Sequence, residues 1–214
     1  LHLSIRRQRQ MCIRDSFWVM PISQDHKRAY DGDKGPNTGG MGAYSPVPQI
    51  SNETVQRAID EIVRPTVEGL AKEGTPFTGV LYAGLIDTAT GPKVIEFNAR
   101  FGDPETEVVL PRLTSDFGAA IWNILRHKSP TFTWKNSGVT LGVIIASEGY
   151  PGTLVTGTQL PQIPVDENQG QHVYYAGVKS DEKSGKLLTS SGRVALVQVH
   201  GNDVNCLLYT SDAA

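Results

Sequence analysis

The chain has 214 residues, 39% of them hydrophobic and 20% charged, with a formal net charge of −2. That size and composition suit a globular chain of one large or two small domains with a substantial core. They give no general electrostatic case for binding nucleic acid, and no apolar run approaches the roughly 20 residues that cross a bilayer.

Residues 1–16, LHLSIRRQRQMCIRDS, carry four Arg and one Asp with no helical or strand period. They also lack the apolar segment and small-residue cleavage site of a secretory signal. Residues 205–214, NCLLYTSDAA, follow abruptly on a strand-like segment. Both are expected to be foreign to the fold, like translated adaptor sequence; a basic amphipathic arm is the alternative for the first. Cys12 and Cys206 fall in these flanks, so the core between them offers no disulfide, thiol nucleophile or cysteine-bound zinc. A cytoplasmic chain is the simplest expectation.

Phe17 to Ile22 reads as the tail of a strand, followed by a polar cluster holding Asp25, His26, Lys27 and Arg28. Asp31 to Pro46 contains five Gly and two Pro, which predicts a long loop able to present backbone N–H groups to an anion. Its glycines fit neither the GxxxxGK[ST] nor the GxGxxG spacing. Ser51 is placed to cap a helix whose apolar positions are Val55, Ile59, Ile62, Val63, Val67 and Leu70. Pro65 should kink or restart that helix, and Gly74 should stop it. Phe77 to Ile86 reads as a strand, residues 87–92 as a turn, and residues 77–98 as an antiparallel hairpin.

The second strand of that hairpin carries Glu96, Asn98 and Arg100 at a spacing of two, which would put all three on one face. A carboxylate beside an amide carbonyl offers hard oxygen ligands for Mg²⁺, and a neighbouring Arg suits phosphate. The same alternation also describes an ordinary solvated sheet face. Asp103, Pro104 and Glu105 read as N-cap, first-turn proline and first-turn acid of a helix. Ser115 could cap another, with Phe117, Ala120, Ile121, Ile124 and Leu125 as its apolar face. From Thr133 onward the chain turns to short β-rich pieces at 139–147, 173–178 and 193–200, so a boundary is expected near 128–136. Lys179 and Arg193 could reach a nucleotide or only solvate a strand face, the second being preferred, and His200 reads as a surface or packing residue.

Three stretches together carry a specific resemblance: QDHKRAYDGDKGPNTGGMGAYSPVP, FTGVLYAGLI and KVIEFNARFGDPETEVVLPRL. They resemble the phosphoribosylamine–glycine ligase family, whose fold is ATP-grasp. The piece ASEGYPG at 146–152, with Ala176–Lys179 and Ser191–Arg193, is similar to that family's C-terminal domain. The resemblance implies an α+β chain. Residues 17–130 would be the C-terminal half of an ATP-grasp domain, and 131–204 a small β-rich domain, between the flanks 1–16 and 205–214.

It also implies an activity: ATP-dependent joining of glycine to 5-phosphoribosylamine through glycyl phosphate, with Mg²⁺ or Mn²⁺. No nucleic-acid, membrane or protein partner is implied. Glu96 and Asn98 would hold the metal, and Arg100 would steady the transferring phosphate. Asp25, Lys27 and the residues Asn37, Thr38, Gly39, Gly40, Met41 and Gly42 would border the substrates. Asp103 and Glu105 would orient an amine or its neighbours. The family's N-terminal domain and adenine pocket have no counterpart here, so the chain alone is expected to be inactive. Another ATP-grasp carboxylate–amine ligase, or a non-catalytic nucleotide-binding module, is the alternative.

Overall fold

The computed structural model describes residues 8–14 and 16–203. In chain order its elements are β1 (Gln8–Arg14), β2 (Ser16–Val19), β3 (Gln24–Tyr30), β4 (Lys34–Ser45), α1 (Asn52–Ala58), a π turn (Ile59–Val63) and α2 (Arg64–Lys72). There follow β5 (Phe77–Thr88), β6 (Gly91–Asn98), α3 (Thr106–Val109), α4 (Phe117–Leu125) and β7 (Val139–Ala146). The last are β8 (Gln171–Tyr175), β9 (Val178–Ser180), β10 (Leu187–Thr189) and β11 (Arg193–Gly201).

The chain divides into two compact units. The first takes the chain up to Gln24, then Ser45–Gly102 and Val109–Asn136; the second takes Asp25–Tyr44, Asp103–Val108 and the chain from Ser137. The partition thus differs from a single change near residue 130, because two inner segments group with the β-rich part.

The first unit is built on a four-stranded sheet ordered β2-β1-β5-β6, with antiparallel neighbours. Residues 8–14 therefore lie inside the fold rather than in a foreign flank. They pair with β5 from Gln8–Ala83 to Arg14–Phe77, filling the backbone hydrogen bonds of an otherwise open strand. Residues 1–7 and 205–214 of the two expected flanks fall outside the described residues.

The helix on this sheet starts where Ser51 predicts, with the Thr54 N–H donating to Ser51 Oγ at 3.0 Å. Pro65 does not break it. A proline inside an α-helix clashes with the carbonyl four residues back. Here the Arg64 N–H bonds the Ile59 carbonyl five residues back, and the widened turn seats Pro65 in the first turn of α2. Gly74, at φ +78, ends the helix: its N–H bonds the Ala71 carbonyl and the Thr75 N–H bonds the Leu70 carbonyl.

Val63 and Val67 pack on Leu81, with Phe17 and Phe77 beside them, while Ala58 and Ile62 pack on Ala83 and Leu85. Each such fully buried Val or Leu contributes about 1.5–3 kcal/mol. The helix thus covers one face of β5, and Tyr82 and Gly84 belong to the other. In the same unit α4 begins one residue later than expected. Asp116, not Ser115, is its cap, accepting from the Ala119 N–H at 2.8 Å. Ser115 Oγ instead donates to the Thr131 carbonyl. The buried Arg112 guanidinium donates to the carbonyls of Ser45 and Lys135, and burial lowers its pKa.

The second unit holds a five-stranded sheet ordered β3-β4-β7-β11-β8 and a small antiparallel ribbon of β9 and β10. Here the structure corrects the expected Gly-rich loop: Lys34 to Ser45 is a strand, with only a turn at 31–33. The glycines serve close approach rather than looping. A Cβ on Gly42 would stand 2.7 Å from the Gly142 carbonyl oxygen of β7. Leu141 and Val199 pack beneath, with Tyr44 and Val139 against them. A further correction concerns Asp103 to Glu105. They form a turn ahead of a four-residue α3, so Asp103 is too far upstream to cap it.

Candidate functional site

The predicted site residues fall into two groups. Glu96, Asn98 and Arg100 lie in the first unit; Asp25, Lys27, Asn37–Gly42, Asp103 and Glu105 lie in the second.

On β6, Glu96 pairs across the sheet with Gly84 and Asn98 with Tyr82. Directly opposed residues share a face, so both side chains project on the face that α1 and α2 leave uncovered. The register shifts at Gly84/Leu85, next to which Val94 pairs with Leu85, leaving Ile95 as the extra residue. Gly84 is what gives Glu96 its place. A Cβ there would lie 2.9 Å from Glu96 Cγ, so the carboxylate stem lies across the bare backbone of β5. Among the described residues, the Glu96 carboxylate and the Asn98 amide make no hydrogen bond or ion pair. Arg100 does not join them. β6 ends at Asn98, the chain bends at Ala99 and Arg100, and the exposed guanidinium donates to the Phe101 carbonyl at 3.0 Å.

No group of three or more His, Cys, Asp or Glu able to hold a metal ion occurs among the described residues. A site of one carboxylate and one amide oxygen therefore suits an ion that completes its shell from phosphate and water. Mg²⁺ characteristically does so. The two free oxygens on one strand face fit such an ion.

In the second unit, β3 and β4 build a far more saturated corner. Asp25 has a fully buried side chain, with its Oδ2 3.7 Å from Lys27 Nζ. Thr38 Oγ1 donates to the Lys27 carbonyl at 2.9 Å and accepts from the Gly40 N–H at 3.0 Å. The Gly39 N–H donates to the Tyr150 hydroxyl at 3.0 Å. Gly40 sits at φ +123, where a Cβ would come 2.5 Å from Pro104 Cδ and 3.5 Å from Asp25 Oδ2. Glu105, the residue after that proline, is 1% exposed. Met41 is partly buried and Asn37 exposed on the same strand.

Arg193 closes this corner. Its Nη1 is 3.0 Å from both the carbonyl and the carboxylate Oδ1 of Asp103, and 3.4 Å from the carbonyls of Gly39 and Gly40. Asp103 is thus an ion-pair partner rather than a helix cap, and Arg193 is no solvating residue.

Tyr150 and Gly84 are the residues to which sequence reasoning gave no role, and Arg193 is one whose part as a clamp on β4 it did not foresee. Counting register back from the turn at 87–92 of the expected hairpin would have set Gly84 opposite Ile95, because the shift at Gly84/Leu85 that brings Glu96 there has no local signal. Tyr150 and Arg193 lie in glycine-bearing pieces, Gly149–Gly152 and Ser191–Arg193, whose density of small residues signals tight packing around a long side chain.

Two family models match the chain: the ATP-grasp (A) domain of phosphoribosylglycinamide synthetase over residues 9–106, and the C domain of the same synthetase over residues 140–206. The phosphoribosylamine–glycine ligase of Lactococcus lactis is 61% identical over 188 residues, which is 88% of this chain and 44% of that protein. The Streptococcus pneumoniae ligase is 58% identical over 184 residues, covering 86% of this chain and 43% of its own. The crystal structure of the Thermotoga maritima ligase superposes with a TM-score of 0.77 at 34% identity, over 92% of this chain and 48% of that one. The chain spans less than half the length of these relatives. With both domain models in order along it and the same enzyme name on its relatives, the chain belongs to the phosphoribosylglycinamide synthetase family, an ATP-grasp domain followed by the family's C domain.

Proposed function

We propose that this chain forms part of an ATP-dependent ligase that joins the carboxylate of glycine to the amine of 5-phosphoribosylamine. In this reading ATP phosphorylates glycine to glycyl phosphate. The amine then displaces phosphate, giving glycinamide ribonucleotide, ADP and phosphate. A cytoplasmic site of action accords with such a biosynthetic role. The observation that carries the reading at the level of geometry is the Glu96 carboxylate and Asn98 amide on one face of β6, without partners among the described residues.

A bound Mg²⁺ or Mn²⁺ would neutralise phosphate charge, and Glu96 and Asn98 are the residues to hold it. Arg100, exposed at the end of β6, is free to turn its fork from the Phe101 carbonyl to a phosphate oxygen. In the second unit, Asp25 and Glu105 supply buried carboxylates and β4 supplies backbone N–H groups. Such groups position and polarise, as phosphoryl transfer demands. Lys27, Asn37, Thr38, Met41, Gly42 and Asp103 would line or support the substrates there.

The test is a chimera that joins this chain to the portion of the Lactococcus lactis relative that it does not match. ADP release that requires glycine and phosphoribosylamine together is the expected result. Release driven equally by other carboxylates or amines would instead indicate a different ATP-grasp carboxylate–amine ligase. The 214-residue chain by itself is expected to release no ADP above the blank.

A further inference from the structure

We propose that Arg193 is a positioning residue that holds the Gly39–Gly40 backbone of β4 in a fixed geometry. What it positions that backbone for rests on the ligase reading; the clamp itself does not.

Two separated stretches meet on one side chain. The Asp103 turn contributes a carbonyl and a carboxylate oxygen at 3.0 Å, and β4 contributes the carbonyls of Gly39 and Gly40. The guanidinium also lies against Gly39, where a Cβ would stand 3.1 Å from Arg193 Cζ and Nε. The neighbouring Gly40 is shaped by the same turn, through Pro104. The two glycines thus have one cause: they let β4 touch the clamp from two directions.

The far side is built as tightly. A Cβ on Gly192 would come 2.3 Å from the Tyr150 ring, and that tyrosine's hydroxyl accepts from the Gly39 N–H. All four oxygens share the two N–H groups of the one nitrogen Nη1, a position that a lysine ammonium, one bond shorter in reach, does not attain. The Arg193 side chain is 23% exposed, so little of it is left to face solvent.

Holding the carbonyls of Gly39 and Gly40 also fixes the two peptide planes they belong to, those shared with the N–H groups of Gly40 and Met41. The Gly40 N–H, now bonded to the Thr38 hydroxyl, therefore keeps its direction, and the Gly39 N–H next to it is bonded to the Tyr150 hydroxyl. A hydroxyl partner can be exchanged for a ligand oxygen without disturbing the strand.

The experiment is site-resolved amide hydrogen exchange on the full 214-residue chain, without substrates. Arg193→Ala and Arg193→Lys should each speed exchange at Gly39 and Gly40 by about tenfold, and leave Leu141 and Leu196 unchanged. Added methylguanidinium should restore slow exchange in R193A. In the glycine-dependent chimera assay, R193K should lower kcat and leave KM for ATP in place. Unchanged exchange at Gly39 and Gly40 in R193K would overturn the proposal, and so would equal acceleration at every amide. If R193A does not fold, R193K decides. A chimera without ligase activity whose Gly39 and Gly40 still respond to R193K would sink the ligase reading and leave the clamp standing.

Discussion

On β6 the Glu96 carboxylate is exposed and the Asn98 amide half-buried, neither has a partner among the described residues, and the Glu96 stem lies over the bare backbone of Gly84. On β4 nearly every polar group already has one: Thr38 with Lys27 and Gly40, Gly39 with Tyr150, Arg193 with Asp103 and the two glycine carbonyls. The first corner costs the fold little, because a half-wet carboxylate is still solvated, and it is ready for a cation. The second corner is part of the fold and can act on a ligand only through the directions it imposes. Polar residues in a candidate site therefore divide by whether the fold uses them up, and the two kinds should respond differently to mutation.

The largest effect should come from the saturated corner. Gly40→Ala must relieve a φ of +123 and a 2.5 Å approach to Pro104, and should cost about 3 kcal/mol in urea unfolding. A cost below about 1 kcal/mol would mean that β4 can shift away from Pro104. Next comes Glu96→Gln on the open corner. Stability should stay within about 0.5 kcal/mol, because nothing among the described residues binds that carboxylate. Mn²⁺ affinity of the chimera in the presence of ATP should fall about 10-fold to 100-fold, the loss of one charged contact of about 1.5–3 kcal/mol. Equal metal affinity in the two proteins would remove Glu96 from the ligand set.

Ser51→Ala separates scaffold from site. It should destabilise the helix behind β5 by about 1 kcal/mol and leave metal affinity unchanged. The smallest effect concerns Asp181, whose exposed carboxylate accepts from the backbone and hydroxyl of Ser184, which hold its pKa below the usual value. A depressed carboxylate pKa stabilises above the unfolded value and is lost as pH falls through the folded one. D181N should therefore flatten the acid limb of the stability profile slightly and leave exchange at Gly39 untouched.

Much of this was legible in the chain. The Ser51 cap, the Gly74 stop and the 77–98 hairpin follow from local chemistry, since each depends on residues within a few positions. The Gly-rich run was misread because glycine signals conformational freedom and close packing by the same letter. Only the neighbours Gly142, Pro104 and Arg193, 64 to 154 residues away, decide between them. β1 was missed for a related reason: its strand character comes from pairing with β5, not from alternation of its own. Arg100 kept its spacing from Asn98 but lost the shared face once the strand ended between them.

The path of the chain between its two units has a practical consequence for anyone who wants one without the other. It passes from one unit to the other after Gln24, Tyr44, Gly102, Val108 and Asn136. No single cut can therefore excise either unit. A polypeptide stopped near residue 130 would carry β3, β4 and the Asp103 turn without β7 and β11, the strands that complete their sheet. Such a piece would display an unfinished glycine-rich edge, the kind of surface that recruits foreign strands. Exchange of modules between relatives in this family would have to move several segments at once.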